Sequence, residues 1–247
     1  MSEIPVVLVT GAAKRVGAAI ARALHANGWN VVIHYRASGG EARALEKELN
    51  GARPDSAASL RANLLDLRAV DKLAGQAHER WGRLDALVNN ASSYYRTPLA
   101  DLTEEQFDDL AGSNLKAPLF LTRACAARMK AGGAVVNITD IHAEAPMKGY
   151  AVYCAAKAAL ASLTGSLARE LAPRVRVNAV APGHVLWAEG NSMSEAQRAA
   201  EIARVPLGRL ARPEEIGVAA AFLLSPAAAY ITGATLPVDG GLRLVSG

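Results

Sequence analysis

Seven short runs of apolar, largely β-branched residues recur along the chain, near 4–10, 30–35, 56–62, 84–89, 134–139, 175–181 and 234–238, each parted from the next by a helical stretch or a loop plus helix. This alternation constrains the fold more than any other feature. Runs that are apolar at nearly every position suit strands buried on both faces, and neighbouring parallel strands need helical crossovers of the kind these intervals supply. The pattern predicts a doubly wound α/β sheet with its ligand crevice at the carboxyl ends of the strands. With 247 residues, 51% of them apolar, the chain can bury a large core between helices on both faces, and 1–247 is expected to be a single domain. No solenoid-period repeat or low-complexity linker interrupts it.

The first strand leads into Gly11-Ala-Ala-Lys-Arg-Val-Gly17 and then directly into an amphipathic Ala-rich stretch that stops near Asn27-Gly28. Strand, glycine turn and helix N-terminus together make an anion site, because backbone N–H groups and the positive end of the helix dipole converge there. The spacing departs from the G-x-G-x-x-G fingerprint, so it is a weak signal alone. The next strand, Trp29-Asn-Val-Val-Ile-His34-Tyr35, runs into Arg36, with no carboxylate before Glu41. An acid at such a strand end binds the ribose hydroxyls of NAD, whereas an Arg accepts a 2′-phosphate. Lys14, Arg15 and Arg36 therefore favour NADPH/NADP as cofactor.

A second constellation lies at Tyr153-Cys-Ala-Ala-Lys157, in the predicted helix 149–171, with Asp140 thirteen residues upstream. Residues four apart share a helix face, so the Tyr153 hydroxyl and the Lys157 ammonium project into one cleft. A free tyrosine titrates near pH 10, and a neighbouring cation is expected to lower that value and ease proton transfer.

Thr10-Gly11 with Gly17, Asn89-Asn90-Ala91, Asn114, Tyr153-x-x-x-Lys157, Val177-Asn178, Pro182-Gly183 and Asp239-Gly240-Gly241 together resemble the short-chain dehydrogenase/reductase family, in order and over nearly the whole chain. The resemblance implies a single Rossmann-type domain with a seven-stranded parallel sheet. It also implies catalytic roles for Tyr153 as proton donor, Lys157 on the nicotinamide ribose, and Asn114 at a relay water. Three positions depart from the family pattern: Arg15 and Ser92 stand where glycines are usual, and Asp140 stands where serine is usual. With His34-Tyr35 and Asn89-Asn-Ala-Ser-Ser-Tyr-Tyr95, these departures resemble the pteridine reductase branch. That closer resemblance implies a catalytic Asp140–Tyr153 pair and a substrate pocket of Arg15, Ser92, Tyr94, Asp140, Tyr150 and Tyr153, with Tyr94 stacking on a pterin. It implies a cofactor site of Gly11, Lys14, Arg15, Gly17, His34, Tyr35, Arg36, Asn63, Asn90, Ala91, Ser92, Lys157, Pro182 and Gly183. Asn63 replaces the usual Asp near the adenine, and Tyr94 replaces a more usual Phe.

The chemistry of Asp140 agrees with that branch. An ionised carboxylate beside the Tyr would repel the alkoxide that develops when a ketone is reduced, whereas a C=N bond of a dihydropterin takes up a proton that a carboxyl–phenol pair can relay. The expected reaction is reduction of a dihydropterin, or of dihydrofolate more poorly, to its tetrahydro form. The alternatives are a broad carbonyl or 3-oxoacyl-thioester reductase and, from another class, a non-catalytic dinucleotide sensor on the same fold.

The remaining features set limits. Cys125 and Cys154 read as free buried thiols on separate helices, and five histidines show no metal spacing. No apolar run is expected to span a membrane, and Met1-Ser-Glu-Ile lacks a secretory pattern, so a cytoplasmic location is expected. The net charge of +4 is dispersed among acids and calls for no nucleic acid. Residues 183–205 are a candidate substrate segment, with 184–192 read as loop and 193–205 as a short helix. The resemblance implies a homotetramer, with the 230–241 segment pairing across subunits.

Overall fold

Strand and helix alternate as the apolar pattern requires. The protein is described by a computed structural model over residues 4–187 and 193–245. Strands β1 (Val6–Val9), β2 (Asn30–Tyr35), β3 (Ala57–Arg61), β4 (Ala86–Asn89), β5 (Gly133–Ile138), β6 (Val175–Pro182) and β7 (Thr235–Val238) form one parallel sheet in the order β3-β2-β1-β4-β5-β6-β7. The order reverses between β1 and β4, which opens the crevice where such sheets bind ligands. All seven expected strands are present, several trimmed by a residue or two at their ends.

Helices α1 (Arg15–Ala26), α2 (Gly39–Ala52), α3 (Leu67–Glu79), α4 (Glu104–Ala111), α5 (Ala117–Ala126), α6 (Ala151–Leu171), α7 (Glu195–Ala203) and α8 (Pro213–Leu224) connect and cover them. Alternate strand residues enter opposite cores. Val7, Val9 and Ile33 pack with Ile20, Leu45 and Ile216 on one face, while Val6, Leu8 and Val32 pack with Leu73, Leu121 and Leu167 on the other. Helix α8 closes directly onto α1, where a Cβ on Gly217 would lie 2.9 Å from the Ala19 carbonyl oxygen.

Capping boxes visible in sequence start α4 and α7: Thr103 with Gln106, and Ser194 with Gln197. No side chain caps α1. Contrary to the expectation from sequence, α6 is long and apolar enough, by length and composition, to cross a membrane. Half of its apolar window is buried inside the protein, and its face carries Tyr153 and Lys157 against the sheet, so its apolar character serves the core. Residues 184–187 are irregular and α7 is the expected helix, while 188–192 of the expected loop lie outside the described residues. Cys125 and Cys154 are free and buried.

Candidate active site

The glycine turn is shaped by backbone demands. Gly11 has φ 59°, and a Cβ on Gly17 would sit 2.2 Å from the Gly11 carbonyl oxygen, so only glycine lets the turn fold onto the first turn of α1. Three neighbours fasten it. Asn90 Nδ2 donates to the carbonyls of Thr10 (2.8 Å) and Gly11 (3.2 Å), and the Thr10 hydroxyl accepts the N–H groups of Asn90 and Ala91. His34 Nδ1 accepts the Gly11 N–H at 3.2 Å, which assigns the ring proton to Nε2, 3.2 Å from the Ala62 carbonyl. Burial lowers the His34 pKa to about 4 and keeps the ring neutral. Asn90 and His34, expected at the cofactor, line the cleft beside the turn, and these side-chain polar atoms fasten the turn itself.

Arg15 occupies the place of a usual glycine and takes the glycine-like conformation too, with φ 56°, a strain of about 1 kcal/mol. Its Nη2 donates to the Trp187 carbonyl at 2.9 Å, in the segment after β6. Lys14 and Arg15, read from sequence as a pair on a 2′-phosphate, both line the cleft beside the turn, and this bond ties one Arg15 nitrogen to the segment after β6.

A cleft of about 500 Å³ runs past this turn, lined among others by Lys14, Gly17, Tyr35, Arg36, Asn63, Ala91 and Ser92. The uncapped start of α1, the Cβ-free approach at Gly17 and the basic wall of Lys14, Arg15 and Arg36 fit the phosphates of a dinucleotide. Pro182, which ends β6, and Gly183, which follows it, are expected at the cofactor and are absent from this lining among the described residues. A Cβ at Gly183 would meet Asp239 Cα at 2.8 Å, which gives this glycine a packing reason.

On the far side of the crevice, a π turn over Gly112–Lys116 joins α4 to α5 and presents Asn114, fully buried. Its Nδ2 donates to the Leu110 and Ser93 carbonyls at 3.0 and 2.9 Å, and its Oδ1 accepts the Ser92 hydroxyl at 2.7 Å. Behind it, a buried ladder joins strands to helices: Asn89 donates to Thr122 and Asn137, and Asn137 donates to Thr164.

Asp140 follows β5 and does two things. Its Oδ1 accepts the His142 N–H at 2.9 Å, capping the short turn 141–143, and its Oδ2 accepts the Tyr153 hydroxyl at 2.6 Å. Both the capping reading and the pairing reading of this carboxylate are therefore realised. Lys157 Nζ donates to the Ile138 carbonyl at 2.9 Å and lies 5.7 Å from the Tyr153 ring centre. Burial brings its pKa down to about 8, opposed by Asp140. The Tyr153 phenol moves opposite to the expectation from sequence: burial and then the Asp140 carboxylate push it well above 10, which outweighs the neighbouring ammonium.

Tyr94 stacks on Tyr150 at 5.1 Å and 16° and meets Tyr153 edge-on at 4.9 Å. Of the six residues expected around a substrate, Tyr94, Tyr150, Tyr153 and Asp140 form one contact cluster, while Arg15 and Ser92 line the cleft beside the glycine turn. His142, which sequence reasoning passed over, also borders the site, with His184 and Trp187 of the candidate 183–205 segment beside it. His142 and His184 face each other at 6.4 Å, with Trp187 5.9 Å beyond His184. None sits in a motif, and the chain fold alone brings them together.

This sheet, turn and Tyr–Lys helix define a Rossmann-type oxidoreductase domain. A family model described as enoyl-(acyl carrier protein) reductase matches residues 11–243. Pteridine reductase 1 of Leishmania tarentolae is 38% identical to the chain, covering 97% of it and 96% of the relative. The 3-oxoacyl-acyl-carrier-protein reductases FabG of Staphylococcus aureus (35%, covering 96% and 97%) and Rickettsia prowazekii (38%, covering 96% of each) are similar as well. The chain belongs to the short-chain dehydrogenase/reductase family. Members of this family use nicotinamide dinucleotides.

Proposed function

We propose that this protein is an NADPH-dependent reductase that converts a dihydropterin, such as dihydrobiopterin or dihydromonapterin, to its tetrahydro form. The observation that carries the reading is the 2.6 Å bond from Tyr153 to Asp140, a carboxylate where a ketone reductase would hold a neutral hydroxyl. The similarity to pteridine reductase 1 supports it. Gly11, Lys14, Gly17, Tyr35, Arg36 and Asn63 would hold the cofactor, which supplies a hydride when bound.

Tyr153 stays a phenol at neutral pH and keeps a proton beside the cleft. As hydride reaches the carbon of a C=N bond, the nitrogen gains an electron pair and takes that proton from Tyr153 Oη. The Lys157 ammonium offsets the phenolate left behind, and Asn114 orders the polar wall through Ser92. A flat ring seats against Tyr94, 43% of which stays exposed although Tyr150 covers one side.

A panel of NADPH-oxidation assays tests this reading. Turnover of dihydrobiopterin or dihydromonapterin above that of a 3-oxoacyl thioester is expected, with dihydrofolate slower. A preference for the thioester would replace this reading with the carbonyl reductase that the FabG relatives exemplify. Silence on all would favour a dinucleotide sensor. The proposal extends to a homotetramer built through edge strand β7 and the fully exposed Tyr230, which sedimentation checks.

A further inference from the structure

A second cleft, of about 380 Å³, adjoins the first and shares Arg36 and Asn63 with it. Arg61 and Lys72 complete its basic lining, with Gln76 beside them on α3. Arg61 ends β3, and the parallel register sets it directly opposite Tyr35, one residue before Arg36. Its Nε donates to the Arg36 carbonyl at 3.1 Å, which fixes one guanidinium against the backbone that carries the other. The nearest acid is Asp109, 3.9 Å from Arg36, and Arg36 stays 63% exposed. Among the described residues no carboxylate pairs with Arg61 or Lys72. Unneutralised cations gathered at a cleft wall repel one another until an anion joins them. Arg15, the other arginine the sequence suggested for this corner, is engaged with Trp187.

We propose that Arg61 is a second determinant of cofactor choice: with Arg36 it forms a two-guanidinium seat for the 2′-phosphate, and Lys72 strengthens the field from α3. This rests on the NADPH reading above. Planar guanidinium forks match phosphate oxygens and form charge-assisted bonds, and two of them suit a group carrying nearly two negative charges.

The test titrates the full chain by calorimetry with adenosine 2′,5′-bisphosphate and with adenosine 5′-monophosphate, ligands that differ by the phosphate in question. The parent is expected to prefer the bisphosphate. Arg61→Gln should narrow that preference about tenfold, leave the monophosphate within about twofold, and flatten the salt dependence of bisphosphate binding. Circular dichroism checks that this surface variant is folded. If the parent discriminates and Arg61→Gln discriminates as well, or if Arg61→Gln weakens both nucleotides equally, the role of Arg61 is refuted while the NADPH reading stands. If the parent itself does not discriminate, both fall.

Discussion

At the scale of single residues, the site turns on which oxygen holds a proton. Tyr153 donates to Asp140, and its own ionisation is suppressed by burial and by that carboxylate. Tyr153→Phe should leave NADPH affinity nearly unchanged and lower turnover by roughly two to four orders of magnitude, read by calorimetry beside steady-state kinetics. Asp140→Ser should depress pterin reduction and admit slow ketone reduction, since a neutral hydroxyl no longer repels an alkoxide. Equal pterin turnover in that variant would remove Asp140 from the mechanism. Lys157 carries a different cost. Its pKa of about 8 lies below the ordinary 10.5, so near pH 7 the buried ammonium disfavours folding by something on the order of 3 kcal/mol. Lys157→Met should therefore raise the melting temperature of the ligand-free protein while abolishing turnover. The parent should recover relative stability as pH climbs from about 8 toward 10.5, where the unfolded chain binds the extra proton.

At the scale of elements, two glycines do distinct work. Gly17 abuts the Gly11 carbonyl inside the cofactor turn, whereas Gly217 seats α8 on α1. Gly217→Val should destabilise the fold by about 1–3 kcal/mol through overpacking and leave nucleotide affinity intact, while Gly17→Ala should destroy nucleotide binding. Denaturant melts and nucleotide titration separate the two. The sequence made the strands, the turn and the Tyr153–Lys157 face legible because each is a local pattern of period or spacing. Asp140 was legible through its register with Tyr153. What stayed hidden depends on contacts between distant segments: Arg61 beside Arg36 across a strand pair, Arg15 reaching Trp187, His142 against His184. The Tyr153 pKa was misjudged for the same reason, since helix spacing shows the nearby cation but neither the burial nor the orientation of the carboxylate.

At the scale of the whole molecule, His34 joins the first turn to the end of β3 through one neutral ring. With its pKa held at about 4 against 6.5, the unfolded chain binds the proton more readily. The stabilisation is complete above about pH 6.5 and is lost as pH falls toward 4, up to something on the order of 3 kcal/mol. Denaturant melts should show His34→Gln lacking this component of the acid sensitivity, and a parent-like profile would assign the acid loss to other groups.

The π turn at Gly112–Lys116 has a consequence for inheritance of chain length. A π turn holds one residue more than the α-helical path it replaces, and each helical residue turns the chain by about 100°. Deleting a single residue there would let α4 and α5 merge into one regular helix with both flanks keeping their facings, so Leu121 would stay in the core and the change would fall on the widened turn that holds Asn114 against Ser92. The flanking helices could absorb a one-residue loss here but the Asn114–Ser92 bond could not, so length variation among descendants of this chain should spare 112–116 and collect in exposed connections such as 130–132.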